Sequence, residues 1–141
     1  MATLPISGPD GVICRSNWRA CAPQTLTLIE SNAHALAAAK HNLEGAPIPV
    51  RFQWLDVTAE KIPGIYDWVV LNPPFHDALG HHAPHLGQAF IMAAAKVLKP
   101  GGKLLMVANR QLPYEATLAT AFKSVEKLAD ADGFKVIQAR K

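Results

Sequence analysis

A chain of 141 residues, half of them hydrophobic and 18% charged, has the size and balance of one globular domain, which excludes a disordered segment. The formal net charge of +3 permits an anionic partner such as RNA without demanding one. Cys14 and Cys21 lack metal-ligand spacing and fit a reduced, cytoplasmic chain; Met1 to Ile13 has no basic-then-apolar leader, and no apolar run reaches membrane-spanning length, so no membrane partner is expected.

Taken in order, Ala2 to Ile6 is predicted as a short strand, followed by the turn Ser7-Gly8-Pro9-Asp10-Gly11 and helical character from Ile13 to Ala20. Thr25 to Ile29 reads as a strand ending on Glu30. Ser31 or Asn32 then caps an alanine-rich helix through about Leu43, closed by Gly45 and Pro47. Val50 to Leu55 is the next strand, ending at Asp56, and Thr58 to Gly64 a loop. Trp68-Val69-Val70-Leu71 reads as a buried strand, which the double proline Pro73-Pro74 stops at Asn72. Residues 76 to 87, with four histidines, a proline and two glycines, read as a loop. A helix runs from Gly87 or Gln88 to Leu98 and stops at Lys99-Pro100-Gly101-Gly102. Lys103 to Ala108 is a continuously apolar strand, as in a buried parallel sheet. Asn109 to Pro113 is a loop and Tyr114 to Phe122 a helix. Val125 to Ala131 and Phe134 to Ala139 flank Asp132-Gly133, a strong hairpin signal.

Strands alternating with helices, then a terminal hairpin, predict an α/β domain with a mostly parallel sheet and an antiparallel C-terminal strand. Ligands of open α/β sheets bind outside the carboxyl ends of the strands, where Glu30, Asp56 and Asn72 fall. At Asn72-Pro73-Pro74-Phe75, an amide oxygen and a prolyl carbonyl can accept the two hydrogens of a planar NH2 group. The Phe75 ring can stack on a flat heterocycle. The plainer alternative is an ordinary Asn-Pro turn. Glu30 can accept from the hydroxyls of a ribose, or simply complement a helix N-terminus. Asp56, with the backbone beside it, can accept from an adenine amine, or be a turn aspartate. His76, His81, His82 and His85 offer nitrogen ligands, but no spaced cysteine or glutamate completes a familiar metal site, so no metal is expected. The Pro-Gly-Gly stretch at 100 to 102 precedes a strand, the wrong order for phosphate binding, and reads as a turn. Arg110, Lys123, Lys127, Lys135, Arg140 and Lys141 make the C-terminal third basic, as a solvated surface or an RNA contact.

Together these residues resemble the Rossmann-like class I S-adenosylmethionine-dependent methyltransferases. Asp67 to Asp77 (DWVVLNPPFHD), Leu98 to Gly102 (LKPGG), Val107 to Glu115 (VANRQLPYE) and Phe134 to Arg140 (FKVIQAR) are similar, in order, to blocks of the bacterial small-subunit rRNA guanine-N2 methyltransferases of the C type. The resemblance implies S-adenosylmethionine as cofactor and methyl transfer to the exocyclic N2 of a guanine in 16S rRNA. It implies that Asn72 and the Pro73 carbonyl hold that amine, that Phe75 stacks on the base, that Glu30 binds the ribose and that Asp56 and Val57 surround the adenine.

One feature departs from the family pattern. A glycine-rich loop, Asp-x-Gly-x-Gly-x-Gly, should follow the first strand, and only Ser7-Gly8-Pro9-Asp10-Gly11 stands there. The first strand, expected at the centre of the sheet, is therefore predicted to be atypical or missing, and the second, N-terminal domain of the family has no counterpart in these residues. The pattern is that of a truncated or rearranged member, in which dimerisation or strand exchange could cover the central gap. Two other readings stay open: methylation of a different planar nitrogen (adenine N6 or a glutamine amide), and a non-catalytic remnant acting as a binding module.

Overall fold

The computed structural model describes residues 23–73 and 84–141, and the backbone path of residues 4–7. The predicted Ile13–Ala20 helix, the glycines of the Ser7–Gly11 turn, Pro74, Phe75, His76, His81 and His82 lie outside the described residues.

The elements are β1 (Leu4–Ser7), β2 (Thr25–Glu30), α1 (Ala33–Asn42), β3 (Val50–Trp54), β4 (Tyr66–Leu71), α2 (Pro84–Val97), β5 (Leu98–Asn109), α3 (Glu115–Ala121), β6 (Ser124–Ala131) and β7 (Phe134–Arg140). The strands form one seven-stranded sheet in the order β3-β2-β1-β4-β5-β7-β6. Pairing is parallel for β2 with β3 and for β4 with β5, and antiparallel at β1 and β7, so β2 to β6 all run one way and β1 and β7 the other. This is the α/β architecture expected, including the antiparallel C-terminal strand.

The first strand is present and atypical. Leu4–Ser7 fills the central position between β2 and β4 but runs antiparallel to both, with Ile6 opposite Leu26 and Trp68 and Leu4 opposite Val70. Ser7 pairs with Thr25, at the end of β2 opposite Glu30. Pro5 has no N–H, so this central strand gives up a ladder donor, and its register with β2 spans only Ile6 and Ser7.

One face of the sheet packs against α2 and α3. Ile29, Val69, Leu71, Leu104, Met106, Ala108, Ile137 and Ala139 meet Ile91, Ala94, Leu98, Leu118 and Phe122 in a single core. Side chains alternate along a strand, so the neighbours of these core residues project from the other face. There α1 lies on β2 and β3, burying Leu36.

Local chemistry explains the boundaries. Asn32 caps α1, its side-chain oxygen accepting from the Ala35 N–H at 3.0 Å. α2 begins at Pro84, earlier than the histidine-rich composition suggested, because proline is tolerated in a helix's first turn. Gly87 sits in that turn under the Tyr114 ring. A Cβ there would lie 2.0 Å from the hydroxyl, so only glycine lets α2 approach α3 this closely. The Lys99-Pro100-Gly101-Gly102 stretch belongs to β5: Gly101 turns at φ +79, and its N–H donates to the Lys141 carbonyl at 3.0 Å. Asp132 and Gly133 have φ of 52 and 81, the paired positive values of a two-residue hairpin turn.

Candidate functional site

Four strand ends define one edge. β2 ends in Glu30, β3 leads into Asp56, β4 into Asn72, and β5 ends in Asn109, all pointing the same way. The preceding residues Ile29, Leu71 and Ala108 face the α2 and α3 core, so Glu30, Asn72 and Asn109 project from the opposite face. Trp54 pairs with Glu30 across β2 and β3 and shares that face.

Glu30 is 4% exposed, and its Oε1 accepts from the Asn32 N–H at 2.8 Å. Burial pushes its carboxyl up, while hydrogen bonds, those from the Asn32 and Ser31 N–H groups among them, and nearby positive charge pull it down, for a net position below the usual carboxylate range. An ionised, buried acceptor therefore closes β2, where a helix N-terminus also favours negative charge.

Asp56 is exposed and serves its own turn. Its Oδ1 accepts from the Thr58 hydroxyl at 2.6 Å and the Thr58 N–H at 2.8 Å, and these bonds depress its pKa. In return, Glu60 Oε1 accepts from the Asp56 N–H at 2.9 Å. The Ala59 N–H also pulls the carboxyl down, so the carboxylate is held by its own turn. Val57 turns its side chain into the core, 9% exposed, and leaves only backbone for the edge.

Asn72 is exposed and stands between buried Leu71 and buried Pro73. Its amide has no hydrogen-bond partner among the described residues. The expected strand stop is therefore built, and it presents an uncommitted amide two strand positions from Glu30, about 10 Å away at ordinary strand spacing.

Several features of this edge escaped sequence reasoning. Trp54 is 71% exposed, and its indole N–H donates to the Ser31 carbonyl at 2.8 Å, pinning the ring beside Glu30. An aromatic residue in a strand reads as core, so only the edge position of β3 reveals it. Lys135, one of the basic residues taken for surface, is 3% exposed. Its Nζ donates to the Leu112 carbonyl at 2.6 Å and to the Glu115 carboxylate, fastening the β5–α3 loop beneath β7. Asn109 Oδ1 accepts from the Gln111 N–H at 3.0 Å in that same loop. Arg110 and Lys127 both pair with Asp130. His85 lies in the first turn of α2; among the described residues, no group of three or more His, Cys, Asp or Glu is placed to hold a metal. No described helix is long and apolar enough to cross a membrane.

Residues 6–138 match the family model of the methyltransferase small domain. The chain is 40% identical over 116 residues to the ribosomal RNA small subunit methyltransferase C of Proteus mirabilis, covering 82% of this chain and 34% of that protein. It is 34% identical over 126 residues to the enzyme of the same name from Shewanella halifaxensis, covering 89% and 36%. Among solved structures it resembles the T. thermophilus 16S rRNA N2 G1207 methyltransferase in complex with AdoMet and guanosine. The TM-score there is 0.66 at 28% identity, over 80% of this chain and 30% of that one. The N-methyltransferase NodS of Bradyrhizobium japonicum, at 14% identity and a TM-score of 0.59, shares the fold alone. The chain spans about a third of the length of the curated relatives it matches. By its strand order, its blocks of sequence and the match over nearly its whole length, the chain belongs to the methyltransferase small-domain family.

Proposed function

We propose that this chain forms the catalytic domain of an S-adenosylmethionine-dependent methyltransferase acting on the exocyclic N2 amine of a guanine in 16S rRNA. The observation that carries the reading is the Asn72 amide: exposed, without a partner among the described residues, and fixed at the end of β4 between two buried residues. The names of the similar rRNA enzymes supply the substrate class.

The nucleoside half of the cofactor fits the residues present. Glu30 supplies an ionised acceptor for ribose hydroxyls, and the exposed Asp56 carboxylate with the Val57 backbone supplies an adenine edge. The methionine half has no matching cradle among the described residues. Because β1 runs antiparallel, Ser7 leads away from the sheet edge that holds Glu30 and Asn72. The bound cofactor supplies an electrophilic methyl group. Asn72 Oδ1 and the Pro73 carbonyl accept the two N–H bonds of the guanine amine, which turns the nitrogen lone pair out of the ring's conjugation. Phe75, outside the described residues, is the stacking face that the resemblance assigns. Catalysis by such a site is mainly positioning, with the guanine unpaired or flipped to reach it.

The test is transfer of a tritiated methyl group to a single-stranded RNA carrying one guanosine, against the same RNA with inosine, which lacks the N2 amine. The expected result is labelling of the guanosine RNA only. Equal labelling of both removes N2 as the acceptor, and labelling of neither by a folded, cofactor-binding chain removes this RNA chemistry. Asn72→Ala should lower the rate with little change in cofactor affinity.

A further inference from the structure

On the far side of Asn72 from Glu30, the β6–β7 hairpin brings its tip to the same edge. Phe134 opens β7 and is 51% exposed, although an aromatic ring at a strand end ordinarily finds cover. It pairs with Asn109 across β5 and β7. The next residue, Lys135, faces the buried side, and Ile137 and Ala139 belong to the α2 and α3 core, so Phe134 projects from the face that carries Asn72 and Asn109. Two strand spacings across and two residues along place it about 12 Å from Asn72.

The ring stands on a rigid base. The Asp132-Gly133 turn is tight, the Arg110 N–H donates to the Gly133 carbonyl at 2.9 Å, and the buried Lys135 ammonium ties β7 to the Leu112 carbonyl. Little conformational freedom remains to be lost when a flat partner arrives. A fixed, solvent-facing ring on the face that carries Asn72 fits an unpaired base, since single-stranded RNA is held in part by stacking on aromatic side chains.

We propose that Phe134 is a stacking platform for an unpaired base that flanks the target guanine in the RNA strand. The proposal rests on the RNA reading above and adds to it a second contact point on the substrate. One or two extended nucleotides span the distance from Asn72 to the ring, so the target base and its neighbour can be held at once.

The experiment uses the full chain and single-stranded RNA carrying one guanosine, with 2-aminopurine at each flanking position in turn. Stacking on Phe134 quenches the probe on one side of the guanosine. Phe134→Leu should abolish that quench and weaken RNA binding about tenfold, while Phe134→Trp keeps both. Val125→Ala, on the same hairpin, should change neither. Cofactor affinity, measured separately, should be the same in Phe134→Leu as in the parent, which also verifies folding. If the parent binds and methylates RNA but Phe134→Leu binds it equally well, the platform is refuted and the methyltransferase reading stands. If the parent binds cofactor but no RNA, both fall. A concentration-dependent dimer that Phe134→Leu dissolves would show the ring to be a contact between copies of this chain, and would likewise overturn the proposal.

Discussion

Replacing Lys135 with methionine tests whether the buried ammonium holds the β5–α3 loop. Methionine keeps the apolar stem and removes the charge. The Lys135 side chain is 4% exposed and the Glu115 side chain 63% exposed, so the two partners are in different surroundings. Glu115 can return to water, and its pair with Lys135 is worth under about 1 kcal/mol by the measure of exposed ion pairs. The Leu112 carbonyl, in a residue only 6% exposed, loses the donor that lies 2.6 Å away. Stranding a buried acceptor costs about 1–3 kcal/mol, and relief from burying the ammonium offsets part of it. The expected net loss is about 2 kcal/mol, which for a domain of this size lowers Tm by roughly 4–8 °C. Circular dichroism melts at pH 7 measure it directly. Glu115→Gln should cost much less, because Leu112 keeps its partner. A Lys135→Met protein that melts at or above the parent's temperature, or a Glu115→Gln protein that loses as much, would refute the reasoning.

Tyr114→Phe should leave stability unchanged or raise it by about 1 kcal/mol, because the Tyr114 hydroxyl is fully buried with no hydrogen-bond partner among the described residues; a clear loss in chemical denaturation would mean that the hydroxyl is satisfied. Glu30→Gln, which removes charge without changing volume, should weaken S-adenosylmethionine binding about tenfold, and unaltered affinity would return Glu30 to a purely local role at the helix N-terminus. The carboxyls of Glu30 and Glu115 both sit below the ordinary glutamate value of 4.5 in the folded chain. Their contribution to stability is thus fully present above that value and is lost as pH falls through the lower folded values. Tm should therefore change little from these groups between pH 7 and about pH 5 and drop below that; a Tm that rises on acidification would contradict the sign.

Where local chemistry decides the outcome, the sequence is legible. The double proline after Leu71 stops β4 before Asn72, one of the two cap candidates, Asn32, caps α1, and Asp132-Gly133 makes the hairpin, all signals carried by the residues themselves. The candidate polar residues Glu30, Asp56 and Asn72 do fall at strand ends, the placement read from the residues, and ligands of such sheets gather there. What stayed hidden depends on partners distant in the chain. The direction of β1 is set by what it pairs with, and four residues including Pro5 carry no directional signal. Pro100-Gly101-Gly102 reads as a turn, yet bonds to Lys141 draw it into β5. Lys135 looks like any surface lysine until β7 is seen to lie over the Leu112 carbonyl. Trp54 and Phe134 have the side chains of core residues and stand in solvent, because β3 is an edge strand and Phe134 opens a strand at a hairpin tip.

The reversed β1 makes cofactor binding the point on which the account turns. On the proposed reading Glu30 and Asp56 would hold the adenosine half of the cofactor, while the central strand runs away from the edge where they stand. The most direct measurement is isothermal titration of the purified chain with S-adenosylmethionine, with adenosine as a second ligand. Saturable binding of both at one site, each weakened by Glu30→Gln, is the expected result. A folded chain that gives no binding heat with either ligand, and no change in its melting temperature when they are added, would contradict it.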